Sequence, residues 1–310
     1  MEQATINGAE LTYDVTGSGD PVLLISTGPL ADSFSPLVRE RAMADGYRSI
    51  QYRQRRMNGD THGPAPVSFA QHAADAAALL RHLGVRRAHV AGHSTGAAIA
   101  LQLAVDHPEV VHTLALLEAP LVSAPGAADF FEKAGPALDA YGSGDRAGAM
   151  RAFLGVVSGL GWEACRALLE KHVPGGVEWA IANAGNFFGS YLPALEAWRF
   201  GPGEAAAIST PVLAVLGTET DRWFADSNEL LHSLLSQAQV EDCRIDGVAH
   251  LLHMQRPAPV ARGMAEFFAR HPIAGERRGA RRAGLGARRA DTPGTTGLEP
   301  SHVMSPIASA

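Results

Sequence analysis

The sequence predicts an α/β fold: a mostly parallel sheet flanked by helices and interrupted once by a helical insertion. Two observations carry that reading. Short apolar runs alternate with helix-length stretches over residues 1–120 and again over 206–272. That is the rhythm of parallel strands joined by helical crossovers and covered on both faces. Between the two blocks, residues 121–205 hold several helical patterns and no convincing strand.

Taken in order, Leu11–Thr16, Gly17-Ser18-Gly19-Asp20 and Pro21–Ser26 read as strand, hairpin turn and strand. Leu37–Ala44 fits a helix that Gly46 ends, and Ser49–Tyr52 fits the next strand. Phe69, His72, Ala73, Ala76, Leu79, Leu80 and Leu83 recur at spacings of three and four, so Ser68–Leu83 is a predicted helix with Ser68 as its N-cap. Ala88–Ala91 and Val111–Leu117 are apolar enough for buried strands. The insertion carries predicted helices around Ala128–Tyr141, Asp145–Val157, Trp162–Lys171, Val177–Phe188 and Leu192–Arg199. Beyond it, Pro211–Gly217 and Val240–Ile245 read as strands, Asp226–Leu235 and Pro257–Arg270 as helices.

Composition narrows the class. At 310 residues with 46% hydrophobic content, the chain has ample material for a large core. Its net charge of −6 argues against nucleic acid as the main partner. Two cysteines, Cys165 and Cys243, are too few for a disulfide framework, which points to a reducing compartment. The first residues carry no basic and apolar leader pattern, and no apolar run approaches the roughly 20 residues of a membrane helix. A cytoplasmic protein without membrane partners is therefore expected. The thirteen histidines show no metal-site spacing, so no metal is expected. From residue 273 the chain is rich in Gly, Pro, Ser and Arg and almost free of aromatic residues, so 273–310 reads as a disordered, solvated tail.

Chemistry concentrates at Gly92-His93-Ser94-Thr95-Gly96, which sits between the Ala88–Ala91 strand and the helix-forming run Ala97–Val105. This is G-x-S-x-G in the strand–turn–helix setting the motif requires. A sharp turn exposes the serine hydroxyl, side chains two residues either side would clash, and the following helix aims its first N–H groups at a developing oxyanion. Ser94 is thus a candidate nucleophile; the plain alternative is a tight turn with an incidental serine.

With this elbow, the late Gly247-Val248-Ala249-His250 and Gly46-Tyr47-Arg48 before the fourth strand, the chain resembles the α/β-hydrolase superfamily over about residues 3–272. Within it, the chain looks like the cap-domain serine hydrolases described as esterase-like or enol-lactonase-like. The resemblance implies an α/β-hydrolase fold, with residues 1–120 and 206–272 as the core domain and 121–205 as a helical cap. It also implies a triad in the order Ser, acid, His, and identifies His250 as the base, with His253 as a packing or pocket-lining neighbour.

The acid stays open. The family usually places it three residues after the glycine ending the Pro211–Gly217 strand, where this chain has Thr220; Glu219 and Asp221 flank that position. A second family solution puts it at the end of the preceding strand, where Glu118 stands. A carboxylate at that buried edge would be costly without a partner, and an imidazolium is a natural one. Glu118 ranks first, Asp221 next and Glu219 last. Where relatives carry His-Gly after the third strand, this chain has Ser26-Thr27-Gly28-Pro29, which leaves the Gly28 backbone N–H as the oxyanion donor beside that of Thr95.

The function expected is cofactor-independent hydrolysis of an ester, thioester or lactone through an acyl-enzyme on Ser94. A small apolar substrate would lie under cap aromatics, from Trp162, Phe187, Phe188, Tyr191, Trp198 and Phe200 with Trp223 and Phe224. Two alternatives accompany it: lyase or C–C bond hydrolysis on the same triad, and a non-catalytic receptor that uses the cap pocket for a small ligand.

Overall fold

The computed structural model describes residues 1–57 and 66–274. The tail read from residue 273 lies outside these residues from 275 onward.

Eight strands form one sheet: β1 (Glu2–Ile6), β2 (Ala9–Gly17), β3 (Asp20–Ile25), β4 (Tyr47–Arg53), β5 (Ala88–His93), β6 (Val111–Leu117), β7 (Val212–Gly217) and β8 (Val240–Ile245). Their order is β1-β2-β4-β3-β5-β6-β7-β8, with β1, β2 and β4 joined antiparallel and every later pairing parallel. Strands buried on both faces explain the unbroken apolar runs of β3, β5, β6 and β7. Val22 and Leu24 pack into one core cluster while Leu23 and Ile25 pack into the other, the period of two that a covered strand imposes.

The helices are α1 (Ser35–Val38), α2 (Arg41–Ala44), α3 (Phe69–His82), α4 (Thr95–Asp106), α5 (Ala127–Gly142), α6 (Arg146–Val157), α7 (Trp162–His172), α8 (Gly176–Ala182), α9 (Ala184–Asn186), α10 (Leu192–Ala197), α11 (Pro202–Ala205), α12 (Arg222–Leu234), α13 (Leu252–Gln255) and α14 (Pro257–Arg270). Ser68 caps α3 as the sequence suggests, its hydroxyl accepting from the Gln71 N–H at 3.1 Å. Residues 121–205 are helical or irregular throughout, a cap inserted between β6 and β7.

Four expectations need correction. The Gly17–Asp20 turn is not a hairpin, because β4 lies between β2 and β3. The chain there crosses the start of β4 so closely that a Cβ on Gly17 would sit 2.4 Å from the Tyr47 carbonyl oxygen, and one on Gly19 2.3 Å from that of Gly46. The helix read at Leu37–Ala44 is broken in two by Glu40, whose ψ of 137° is extended. The helix read at Val177–Phe188 breaks into α8, α9 and a π-helical turn, Phe187–Tyr191. There the Leu192 N–H reaches the Phe187 carbonyl, and Pro193 has no N–H with which to resume an α ladder. Finally, Ile273 belongs to the packed body rather than the tail: it is buried, and its N–H donates to Asp20 Oδ2 at 3.3 Å.

Candidate active site

The candidate residues gather at the C-terminal ends of the parallel strands, where open α/β sheets place their ligands. Ser94 follows β5, Glu118 follows β6, Thr220 follows β7 and His250 follows β8.

Ser94 has φ 55° and ψ −124°, a strained conformation for a residue with a side chain. The chain around it fixes that turn. Its N–H donates to the Leu117 carbonyl at 2.9 Å, and its carbonyl accepts from Ala97 N–H at 2.8 Å as α4 begins. Both flanking glycines are required by space. A Cβ on Gly92 would lie 2.3 Å from the Gly96 carbonyl oxygen, and one on Gly96 2.1 Å from that of Ile25.

Glu118 shares the strain, with φ 49°. Its side chain is fully buried and fully engaged. Oε1 accepts the Gly217 N–H at 2.9 Å; Oε2 accepts the Thr220 hydroxyl at 2.7 Å and stands 2.7 Å from His250 Nδ1. An ionised carboxylate can only accept, so Nδ1 is the donor in this contact, and in the neutral ring the lone pair then lies at Nε2. Thr220, which stands where the family usually places its acid, donates its hydroxyl to Glu118. His250 is held on its other side by Phe224, stacked at 4.0 Å and 18°.

The other two candidate acids do not meet His250. Asp221 caps α12 through the Trp223 N–H at 3.0 Å and pairs with Lys133 Nζ at 2.7 Å, so the geometry removes it as the partner of His250. Glu219 is exposed.

The loop after β3, where the oxyanion donor is expected, holds a surprise. Gly28 N–H donates to Thr95 Oγ1 at 3.1 Å, and that oxygen lies 3.1 Å from Thr27 Oγ1. The expected donor thus rests on a protein hydroxyl. Gly28 also needs its missing side chain, because a Cβ would lie 2.7 Å from the Tyr191 ring. Tyr191, on the π-turn of the cap, donates its hydroxyl to Gln54 Oε1, and Gln54 Nε2 donates to the Ser26 carbonyl at 2.8 Å. Cap and loop are braced together.

His93 and His253 are buried beside His250. His93 Nε2 contacts the His250 carbonyl at 2.8 Å, and burial, then nearby His253 and His250, hold its pKa well below the ordinary value. His253 packs against Phe34 and His93, and burial foremost pushes it down to about 3. It is a packing residue. His93 also lines the cavity beside Ser94 and His250, which the motif alone does not reveal.

Ser94 and His250 line a narrow cavity of about 30 Å³. Its walls are apolar: Phe130, Phe153, Phe187, Trp223 and Phe224 with Leu and Val side chains. Of the aromatics singled out in the sequence, Phe187, Trp223 and Phe224 line it, whereas Trp162, Phe188, Tyr191, Trp198 and Phe200 do not. Phe130, Phe131 and Phe153 were not singled out; they come from α5 and α6 by helical phase, which an aromatic count ignores. Among the described residues no group of three or more His, Cys, Asp or Glu side chains is placed to hold a metal, and no single helix is long and apolar enough to cross a membrane.

A family model described as the alpha/beta hydrolase fold matches residues 20–257, and the chain belongs to that family. Its curated relatives include hydrolases. Rhodomycin D methylesterase DnrP of Streptomyces peucetius is 38% identical over 129 residues, which is 38% of this chain and 42% of the relative. The RutD carbamate hydrolase candidate of Azorhizobium caulinodans is 34% identical over 118 residues, 38% of this chain and 44% of the relative. The chain thus spans half or less of the length of such relatives. Among solved structures, the enol-lactonase of Burkholderia xenovorans LB400 superposes with a TM-score of 0.69 at 20% identity, covering 86% of this chain and 100% of that one. Naproxen esterase of Bacillus subtilis gives 0.65 at 17%, covering 86% and 90%. At these identities the likeness is one of fold.

Proposed function

We propose that the protein is a cofactor-independent serine hydrolase that cleaves a small apolar ester, thioester or lactone. The observation that carries this reading is the buried His250–Glu118 contact at 2.7 Å beside the cavity into which the strained Ser94 opens. In the proposed reaction His250 Nε2 takes the Ser94 proton as Oγ attacks the carbonyl carbon. The leaving alcohol, or the ring oxygen of a lactone, receives that proton. Water then adds to the acyl-enzyme with His250 again as base, releasing the acid. Glu118 keeps the imidazole in the required tautomer and balances the imidazolium charge. The oxyanion takes the Thr95 N–H and, once the Thr95 hydroxyl has turned aside, the Gly28 N–H. Apolar walls and the methylesterase among the relatives favour an uncharged ester over a phosphate or peptide substrate.

A non-catalytic binding protein has one observation on its side, the capped Gly28 N–H. One experiment separates the two readings. Wild-type protein should be labelled at Ser94 by a fluorophosphonate and hydrolyse short p-nitrophenyl esters, and Ser94→Ala should lower turnover by about four to six orders of magnitude while remaining folded. Wild-type protein inert to both reagents would favour the binding reading.

A further inference from the structure

Three hydroxyl-bearing residues line the cavity beside His250: Ser94, Thr95 and Thr27. The proposed reaction uses the first hydroxyl and moves the second aside, which leaves Thr27 without a part. Its hydroxyl stands 3.1 Å from Thr95 Oγ1, the same oxygen that accepts the Gly28 N–H at 3.1 Å. A hydroxyl oxygen has two lone pairs, so Thr95 Oγ1 has room for both donors at once. Two donors from the loop after β3 thus converge on one oxygen, beside the Thr95 N–H and one residue from the candidate nucleophile. An oxyanion needs the same arrangement, and here a protein oxygen stands in its place. The loop is held on both sides of Thr27. Gln54 Nε2 donates to the Ser26 carbonyl at 2.8 Å, the Leu30 N–H donates to the Thr27 carbonyl at 3.1 Å, and the Tyr191 ring lies against Gly28. Thr27 and Thr95 are both buried. Donors fixed in this way need little reorganisation when charge develops in front of them.

We propose that Thr27 is a further catalytic residue, its hydroxyl a third donor to the oxyanion, and that the Thr95 hydroxyl plugs the oxyanion site until substrate displaces it. The proposal rests on the reading of Ser94 as nucleophile and adds a group to its transition state. As Ser94 Oγ attacks, the carbonyl π pair moves onto the substrate oxygen. That oxygen takes the place of Thr95 Oγ1 and accepts from the Gly28 N–H, the Thr95 N–H and the Thr27 hydroxyl. No proton leaves Thr27; its hydrogen bond strengthens as the oxygen gains charge and weakens when the carbonyl re-forms. The two threonine side chains therefore act in opposite directions on the rate. Thr27 stabilises the transition state, whereas the Thr95 hydroxyl must be displaced before that state forms.

The test compares Thr27→Val, Thr27→Ala, Thr27→Ser and Thr95→Ala proteins on p-nitrophenyl acetate, each first shown to be folded by its thermal melt. Thr27→Val keeps the shape and loses the donor, so kcat should fall by about 10²-fold with KM nearly unchanged, as it should in Thr27→Ala. Thr27→Ser should restore most of the rate. A trifluoromethyl ketone, which adds Ser94 Oγ to give a tetrahedral oxyanion, should inhibit Thr27→Val more weakly by a similar factor. Thr95→Ala keeps its backbone N–H and removes the plug, so kcat/KM should rise by roughly threefold to tenfold, the worth of a hydrogen bond that no longer has to be broken. Two threonines with a structural role alone would slow the enzyme together when replaced. The plug also has a readout independent of turnover: in proton–nitrogen correlation spectra, the Gly28 amide proton should move upfield in Thr95→Ala. Thr27→Val within about threefold of wild type, Thr95→Ala slower than wild type, or a Gly28 amide that does not move would overturn the proposal and leave the hydrolase reading standing. Wild-type protein inert to the ester, a fluorophosphonate and the ketone alike would overturn both.

Discussion

The two residues with most of the proposed chemistry resting on them, Ser94 and Glu118, are both non-glycine residues with positive φ, and each directly follows a parallel strand. Strain of this kind persists only where the surroundings over-determine it. Ser94 and His250 were legible because each sits in a short motif whose spacing is local. Glu118 was legible only as one of three candidates, since sequence order does not say which loop faces His250. Thr220 was legible as a departure and not as a donor, because its role depends on β6 and β7 lying side by side. The Thr95 hydroxyl left no local trace either, as Gly28 and Thr27 are nearly seventy positions away. Its contribution is measurable. Thr95→Val should leave Gly28 N–H and Thr27 Oγ1 without their partner and cost about 1–3 kcal/mol in urea unfolding, with Thr95→Ser costing clearly less. Equal losses for the two variants would mean that the methyl group, and not the hydroxyl, matters there.

At the scale of elements, hydrophobic rhythm located the strands that are buried on both faces, and helical periodicity located α3, α5, α6 and α14 to within about two residues. It failed where neighbours in sequence are not neighbours in space. The Gly17–Asp20 turn has the composition of a hairpin, and only the insertion of β4 between β2 and β3 makes it a crossing. The broken helix around Phe187 failed for a different reason: Pro193 acts on the turn before it, which the apolar pattern does not record. The element the site depends on most is the elbow between β5 and α4. Gly96→Ala puts a Cβ 2.1 Å from the Ile25 carbonyl oxygen, a backbone atom in the adjacent strand that cannot swing away. A loss of at least about 1–3 kcal/mol of stability is expected, together with loss of fluorophosphonate labelling. An active variant of wild-type stability would show that β3 and α4 can separate freely at this point.

At the scale of the whole molecule, the interior carries histidines that burial keeps neutral, and this sets an acid limit. Burial pushes His72 and His253 down to about 3, whereas an unfolded chain would titrate them near 6.5. Below 6.5 the unfolded chain takes up protons that the folded one refuses, so stability is full above that pH and falls as pH drops toward 3. Each histidine should cost about 2 kcal/mol by pH 5. Urea midpoints should therefore decline between pH 7 and pH 5, and the decline should shrink in His72→Phe and His253→Phe proteins. A flat profile in the wild type would mean that both rings are solvated or paired when charged. The cap is part of the same body: α5 and α6 supply cavity walls, and Tyr191 ties the cap to the loop at Gly28.

In the proposed mechanism His250 activates Ser94, with Glu118 as the orienting acid. The most direct measurement is the rate at which a fluorophosphonate labels Ser94 in wild-type, Glu118→Gln and Asp221→Asn proteins, each first shown to be folded by its thermal melt. Glu118→Gln should slow labelling by roughly 10⁴-fold, the scale of losing the carboxylate that fixes the histidine tautomer. Asp221→Asn should label at nearly the wild-type rate, since its carboxylate serves α12 and Lys133. The reverse order, with Asp221→Asn slow and Glu118→Gln near wild type, would mean that Asp221, and not Glu118, orients His250.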